Sequence, residues 1–299
     1  MANKLSISII IPFYGDLDGL RATLHALQAQ TWPAEDRETL VVNNGQPEAV
    51  DPLRAAHPGV QWLHEAKVGS YAARNRGLRH ARGEVIAFTD SDCVPDPTWL
   101  SEGVRALGQP EATILGGRIV YLEPVGRPLN VYEKIEEAVF LLGRQQFLIE
   151  KLNVAATANL FARRSVFDRV GPFNAQLKSF GDGDWTRRAT GLGEKLAYAP
   201  GAIVRHPRRS SWPEIKKKWL RVAGGRISQL QSRQAPARSY LAALFVDSWL
   251  DPRLHGVSWK VRGLGPAQRL KFLAVLEWLS LCITAEKIRV LLGAEADRG

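Results

Sequence analysis

The run Ile86-Ala87-Phe88-Thr89-Asp90-Ser91-Asp92 places two carboxylates, two residues apart, at the end of an apolar strand. In an extended chain, side chains at i and i+2 leave on the same side. Carboxylates so placed repel each other unless a cation sits between them. A hard divalent ion held by oxygen ligands is the natural occupant. The competing reading is a solvated turn ahead of a helix, since Asp96-Pro97 is a good helix start. Two more polar runs follow apolar stretches in the same way: Pro12-Phe13-Tyr14-Gly15-Asp16 and Asn43-Asn44-Gly45.

These runs need a scaffold that brings strand ends together. Ile7–Ile11, Thr39–Val42, Val60–Leu63, Val85–Phe88 and Ile114–Tyr121 read as short apolar strands. Between them Leu17, Leu20, Leu24 and Leu27 recur at helical spacing, Ser70–Arg82 reads as a helix stopped by Gly83, and Trp99, Leu100, Val104 and Leu107 mark another. Alternating strands and helices predict an α/β fold with a mostly parallel, doubly wound sheet. Such sheets bind ligands at the carboxyl ends of their strands, so the three polar runs should share one edge. Further on, the sequence predicts a helix over about 128–150, a strand over Ala155–Phe161, a loop over Phe167–Asp184, a helix from Trp185 and strand over Leu196–Val204.

The 299 residues, 45% of them hydrophobic, suffice for one large domain with an appendage. Two cysteines, Cys93 and Cys282, exclude a disulfide framework or a cysteine-rich zinc site and point to a reducing compartment. The net charge of +10 implies a polyanionic partner: phosphates, an anionic membrane surface or nucleic acid. Eight cations between Arg205 and Arg226 face only Glu214, and Trp212-Pro213 opens this basic helix. Ala235-Pro236 is a linker candidate. The tail from Tyr240 to Gly293 reads as amphipathic helix interrupted by a Pro/Gly-rich stretch. Its Leu273, Leu276, Leu279 and Ile283 form an apolar stripe, and no run of 18 apolar residues could span a bilayer.

The runs SIIIPFYGDLDGLRATLHALQAQT, LVVNNG and VGSYAARNRGLRHARGEVIAFTDSDCVPDPTWL, in that order, resemble the nucleotide-binding half of a family 2 glycosyltransferase. The later ANLFARRSVFDRVGPFNAQLKSFGDGDW resembles that family's acceptor-side segment, and the likeness covers roughly residues 5–230. It implies a GT-A (Rossmann-like), mostly parallel mixed sheet flanked by helices over residues 1–230, split near 110, with a C-terminal helical extension over 231–299. By this resemblance Pro12, Phe13, Tyr14, Asp16, Asn43, Asn44, Arg74, Asn75, Asp90 and Ser91 bind the nucleotide sugar. Phe13 would stack on the base, Asp16 would hydrogen-bond the nucleotide, and the Asn43 and Asn44 amides would read the base where relatives carry an aspartate. Asp92 and Asp90, with His206 after the last strand, would hold Mn²⁺ or Mg²⁺. Asn159 and Trp185 fall on the acceptor side. The base is Asp182, from Gly181-Asp182, or Asp184 two residues on. A helix-capping role for either remains open.

The expected activity is inverting, metal-dependent transfer of a sugar from a nucleoside diphosphate, UDP favoured, to a hydroxyl of a saccharide or lipid-linked acceptor. Its setting would be cell-surface polysaccharide or glycoconjugate synthesis. The alternative is a non-catalytic nucleotide-sugar or polysaccharide-binding module docked to a membrane or partner. The expected location is cytoplasmic, with peripheral contact at the inner face of the plasma membrane through residues 205–226 and the C-terminal helices. Nucleic acid is disfavoured, because the basic residues cluster away from the motifs.

Overall fold

A computed structural model describes residues 5–109, 112–139, 141–246, 261 and 264–296. The strands are β1 (Ile7–Phe13), β2 (Arg37–Asn43), β3 (Val60–His64), β4 (Val85–Thr89), β5 (Val94–Pro95), β6 (Ile114–Tyr121), β7 (Asn159–Arg163) and β8 (Leu196–His206). The helices are α1 (Leu17–Gln28), α2 (Asp51–Arg54), α3 (Ser70–His80), α4 (Trp99–Leu107), α5 (Val131–Val139), α6 (Gln145–Leu152), α7 (Arg164–Val170), α8 (Gly181–Gly191), α9 (Trp212–Ser232), α10 (Ala237–Phe245) and α11 (Pro266–Leu291).

The chain divides into two compact units. The first, Met1–Leu122, Leu142–Gln176 and Gly181–Pro207, holds one eight-stranded sheet in the order β3-β2-β1-β4-β7-β6-β8-β5. β3, β2, β1 and β4 run parallel, β7 is antiparallel to β4 and β6, β8 is parallel to β6, and β5 is antiparallel to β8. Every side chain of β1 and β4 is buried, which explains their unbroken apolar runs: a parallel strand covered on both faces has no polar alternation. The strand order reverses direction between β1 and β4, so the expected crevice lies beyond Phe13 and Thr89.

Three expectations shift. The helix over 128–150 is two helices, α5 and α6. The strand at 155 begins only at Asn159, because the Ala156 amide bonds the Gln145 side chain instead of a ladder partner. The loop over 167–184 is half helix. α7 starts at Arg164 and stops at Gly171, whose φ of +82° suits a glycine, and α8 begins at Gly181.

One irregularity positions the site. The β6–β8 register slips between Gly117 and Arg118, so residues 200–202 have no partner on β6. Asn159 plugs the gap: its Nδ2 donates to the carbonyls of Arg118 and Ala202, both at 2.9 Å.

The second unit, Glu123–Leu141, Leu177–Phe180 and Arg208–Gly299, is mostly helical over its described residues. Ile135 of α5, Ile215 and Trp219 of α9, and Phe272, Leu276, Leu279 and Ile283 of α11 form its core. Three members of the predicted stripe therefore pack inside this unit. The boundary expected near 230 falls two residues before the end of α9, and the Pro/Gly-rich break in the tail lies largely outside the described residues. Much of the basic segment is already paired. Arg205 bonds Asp96, Arg208 bonds Glu123, and Arg209 and Lys218 both reach Glu136 at 2.8 Å. Burial, and then Arg209, hold the Lys218 ammonium well below the usual lysine range. Among the described residues, no helix is long and apolar enough to cross a membrane.

Candidate functional site

β4 stops at Thr89, and Asp90 to Cys93 form a turn closed by the Cys93 amide on the Asp90 carbonyl at 3.2 Å. The two carboxylates converge because of this turn, not because the strand continues. The ladder between β5 and β8 does the rest. Val94 stands opposite Arg205, so the next antiparallel step brings Cys93 to His206. One ligand atom each from Asp90, Asp92, Cys93 and His206 lies within 4.8 Å of the others.

The donor set fits a divalent cation. The buried His206 donates from Nδ1 to the Pro207 carbonyl at 2.7 Å, which leaves the Nε2 lone pair for a ligand. Two carboxylates and an imidazole suit Mn²⁺ or Mg²⁺. Cys93 adds little to such a set. It is fully buried, and burial with the charges of Asp92 and Asp90 pushes its thiol well above the usual range, keeping it protonated.

Asp90 has a second partner: Arg74 of α3, itself buried, donates to it at 2.5 Å. Three residues earlier on the same helix face, Tyr71 lies under the Arg74 guanidinium, 5.5 Å from ring centroid to carbon. The Tyr71 hydroxyl reaches Asp182 Oδ1 at 3.4 Å. Asp182 also accepts from the amides of Gly183, at 2.9 Å, and Thr157, at 3.4 Å. Desolvation raises its carboxyl above the usual aspartate range, against the opposing pull of those amides and of Arg74. Asp184 turns elsewhere: it is buried against Arg188, 3.2 Å away, whose other nitrogens hold the carbonyls of Val170 and Pro172.

A cavity of about 540 Å³ opens at the carboxyl ends of β1, β2 and β3. Tyr14, Gly45, Gln46, His64, Glu65 and Val68 line it, and its size suits a small-molecule ligand.

Several predicted ligands also hold the backbone in place. Phe13 and Pro12 are buried in β1, whereas Tyr14 is 68% exposed at the cavity, so the free aromatic is Tyr14 and not Phe13. Asp16 caps α1 through the Gly19 amide. The Asn43 amide closes its own turn, donating to the Gln46 carbonyl and accepting from the Gly45 amide two residues on, as in an Asx-turn. Asn44 spends its amide on Glu65, Lys67 and Gly69. Asn44 also lines the cavity, next to Gly45. Asn75 grips Phe173 through both its N–H and its carbonyl. On the acceptor side, Asn159 is fully buried in the β6–β8 gap, with Oδ1 taken by Trp99. Trp185 is fully buried too, stacked on Phe167 and bonded to the Gly171 carbonyl. Ser91 sits half-exposed at the turn between the two aspartates.

Tyr71 is the residue the sequence reading missed. Its signal was present: it lies three positions before Arg74, the spacing that shares a helix face.

Comparisons with known proteins bear on the family and the fold. A family model described as glycosyl transferase family 2 matches residues 8–171. Glycosyltransferase AglE of Haloferax volcanii is 35% identical over 246 residues, 80% of this chain and 79% of that protein. A pre-mycofactocin glycosyltransferase of Mycobacterium tuberculosis is 28% identical over 209 residues, 68% of this chain and 43% of that one. Among solved structures, the mannosyltransferase PcManGT of Pyrobaculum calidifontis, in complex with GDP-Man and Mn²⁺, superposes with a TM-score of 0.66. The match covers 98% of this chain and 89% of that chain at 16% identity, so it speaks for the fold alone. That fold is the GT-A arrangement.

Proposed function

The chain belongs to glycosyl transferase family 2 and is an enzyme of the glycosyltransferase class, and from this premise we propose an inverting, cation-dependent sugar transfer with Asp182 as base. The observation that carries the reading is the pairing of a cation-ready cluster, Asp90, Asp92 and His206, with a desolvated carboxylate joined to it through Tyr71 and Arg74. In this reading Asp182 takes the proton from the acceptor hydroxyl as its oxygen attacks the anomeric carbon. An aspartate raised above its usual range is, when ionised, a stronger base than a solvated one. Arg74 holds Asp90 in place and balances its charge. A divalent cation in the cluster would supply Lewis acidity at the departing diphosphate.

The cavity beside Tyr14 is the proposed seat of the nucleotide base, with Tyr14 as its stacking surface. The donor is proposed as a nucleoside-diphosphate sugar, with the acceptor a saccharide or lipid-linked hydroxyl. Solved GT-A structures hold GDP-Man or UDP, and both nucleotides enter the test. The test is a thermal-shift screen of GDP, UDP and their sugars with and without Mn²⁺. A donor that raises the midpoint only with Mn²⁺ supports the reading. No Mn²⁺-dependent shift with any nucleotide, together with unchanged transfer in Asp182→Asn, would overturn it.

A further inference from the structure

We propose that Tyr71 is a positioning residue: its ring and hydroxyl fix the Asp182 carboxylate against the Arg74–Asp90 pair. The proposal rests on Asp182 as the base, and its test is built so that the two can fail separately.

Tyr71, which is 7% exposed, touches the base's surroundings through its ring edge, its hydroxyl and its ring face. Its ring lies on the backbone of Gly181, so close that a Cβ there would fall 2.6 Å from a ring carbon. Its hydroxyl faces Asp182 Oδ1 at 3.4 Å, a long bond that can shorten when a substrate closes the site. Its face is covered by the Arg74 guanidinium, whose charge holds the ring by a cation–π contact. The glycine before the base is therefore a requirement of the tyrosine: the ring occupies the space of any side chain at 181.

The same helix turn fastens everything around the base. Arg74 holds Asp90, Asn75 holds the chain at Phe173 from both sides of its amide, and the Phe173 ring lies 5.8 Å from that of Tyr71. Residues 71, 74 and 75 share one face of α3. Through Tyr71 and Arg74, one helix contacts both Asp90 of the cation cluster and the acid proposed as base. The groups that face Asp182 are Tyr71 and Arg74 from α3, Asp90 from the end of β4, and the amides of Thr157 and Gly183. Of these, Tyr71 supplies the one side-chain hydroxyl, and a hydroxyl donated to a carboxylate favours the ionised form. Its loss drives the carboxyl further up and loosens the carboxylate's aim.

Tyr71→Phe keeps the ring on Gly181 and under Arg74 and removes only the hydroxyl. Melting midpoints of full-length wild type, Tyr71→Phe, Asp182→Asn and the double variant, from about pH 4 to about pH 9, need no donor. The expected result is a loss in Tyr71→Phe that is larger near pH 8 than near pH 4. On the Asp182→Asn background, that pH dependence should vanish. With the donor found in the nucleotide screen, Tyr71→Phe should lower kcat roughly tenfold, leave KM for the donor unchanged, and move the acid limb of the rate profile to higher pH. Gly181→Ala, which pushes the ring off its seat, should lower kcat in the same direction without raising KM. A loss in Tyr71→Phe that is equal at all pH values and additive with Asp182→Asn overturns the positioning role. Undiminished transfer in Asp182→Asn overturns the base while leaving the melting comparison to judge Tyr71.

Discussion

Asp90-Ser91-Asp92 and Asp182-Gly183-Asp184 have the same spacing and opposite fates. The first pair lies in a turn, and its carboxylates converge within 4.8 Å, with His206 beside them. The second lies in the first turn of α8, where residues two apart point about 200° from each other. Asp182 therefore faces Tyr71, while Asp184 faces Arg188. Spacing alone decides nothing. The backbone beneath it decides whether two acids make a cation site or separate into one reactive and one structural group.

The strongest way to break the comparison is Asp182→Asn. Transfer should fall by about 10² to 10⁴, the usual worth of a positioned base, while Mn²⁺-dependent donor binding persists in a thermal-shift assay. The same variant should be more stable than wild type at neutral pH. A carboxyl raised by desolvation binds its proton more tightly in the folded state, so its ionisation costs stability as pH rises past the unfolded value. Asn removes that cost. A variant that melts lower at neutral pH than wild type would contradict the desolvated placement.

Next in size is Asp92→Ala, which strikes the converging pair. Binding of the donor nucleotide in Mn²⁺ should weaken by at least tenfold in calorimetry, and binding without metal should change little. Chelation of wild type should reproduce the loss. Equal affinity with and without chelator would dissolve the distinction between the two acid pairs, since neither would then need a cation.

The parallel half of the fold was legible because its strands are buried on both faces, and continuous apolar runs such as Ile7–Ile11 and Val85–Phe88 leave few other readings. The convergence of Asp90, Asp92 and His206 was legible because each lies at or just past a strand end, whereas Asp182 lies in the first turn of a helix. The site was illegible where a polar side chain serves the backbone. Asn43, Asn44, Asn75 and Asn159 all looked like ligands, and each proved to satisfy peptide groups that turns or a register slip had left unpaired. A sequence shows the amide but not the orphaned carbonyl it answers. The exchange of Phe13 for Tyr14 has a similar cause: the last strand position faces inward, and the first loop position is free.

A smaller effect sharpens the comparison through pH. With Asp182 raised by burial, the rate should fall as pH drops through a value above that of a solvated aspartate, because the base must be ionised to act. A rate profile whose acid limb lies at or below the ordinary aspartate range would place the base elsewhere.

The smallest effect belongs to Asp184→Asn. Its carboxylate pairs with a partly exposed Arg188, which keeps its bonds to Val170 and Pro172 without it. The buried end of the pair loses a charge-assisted hydrogen bond worth about 2 kcal/mol, so the melting point should drop by several degrees while kcat stays within about threefold of wild type. Reversing that order, with Asp184→Asn inactive and Asp182→Asn active, would require α8 to rotate by about half a turn, since helical residues two apart cannot exchange faces otherwise. That rotation would carry Asp182 away from Tyr71 and drive the Trp185 ring out of its stack on Phe167. Trp185 is one of nine tryptophans, so the check is the difference in emission on Trp185→Phe substitution in each background: an unchanged difference in both variants means that α8 keeps its face, and that the difference in rate belongs to the side chain at 182.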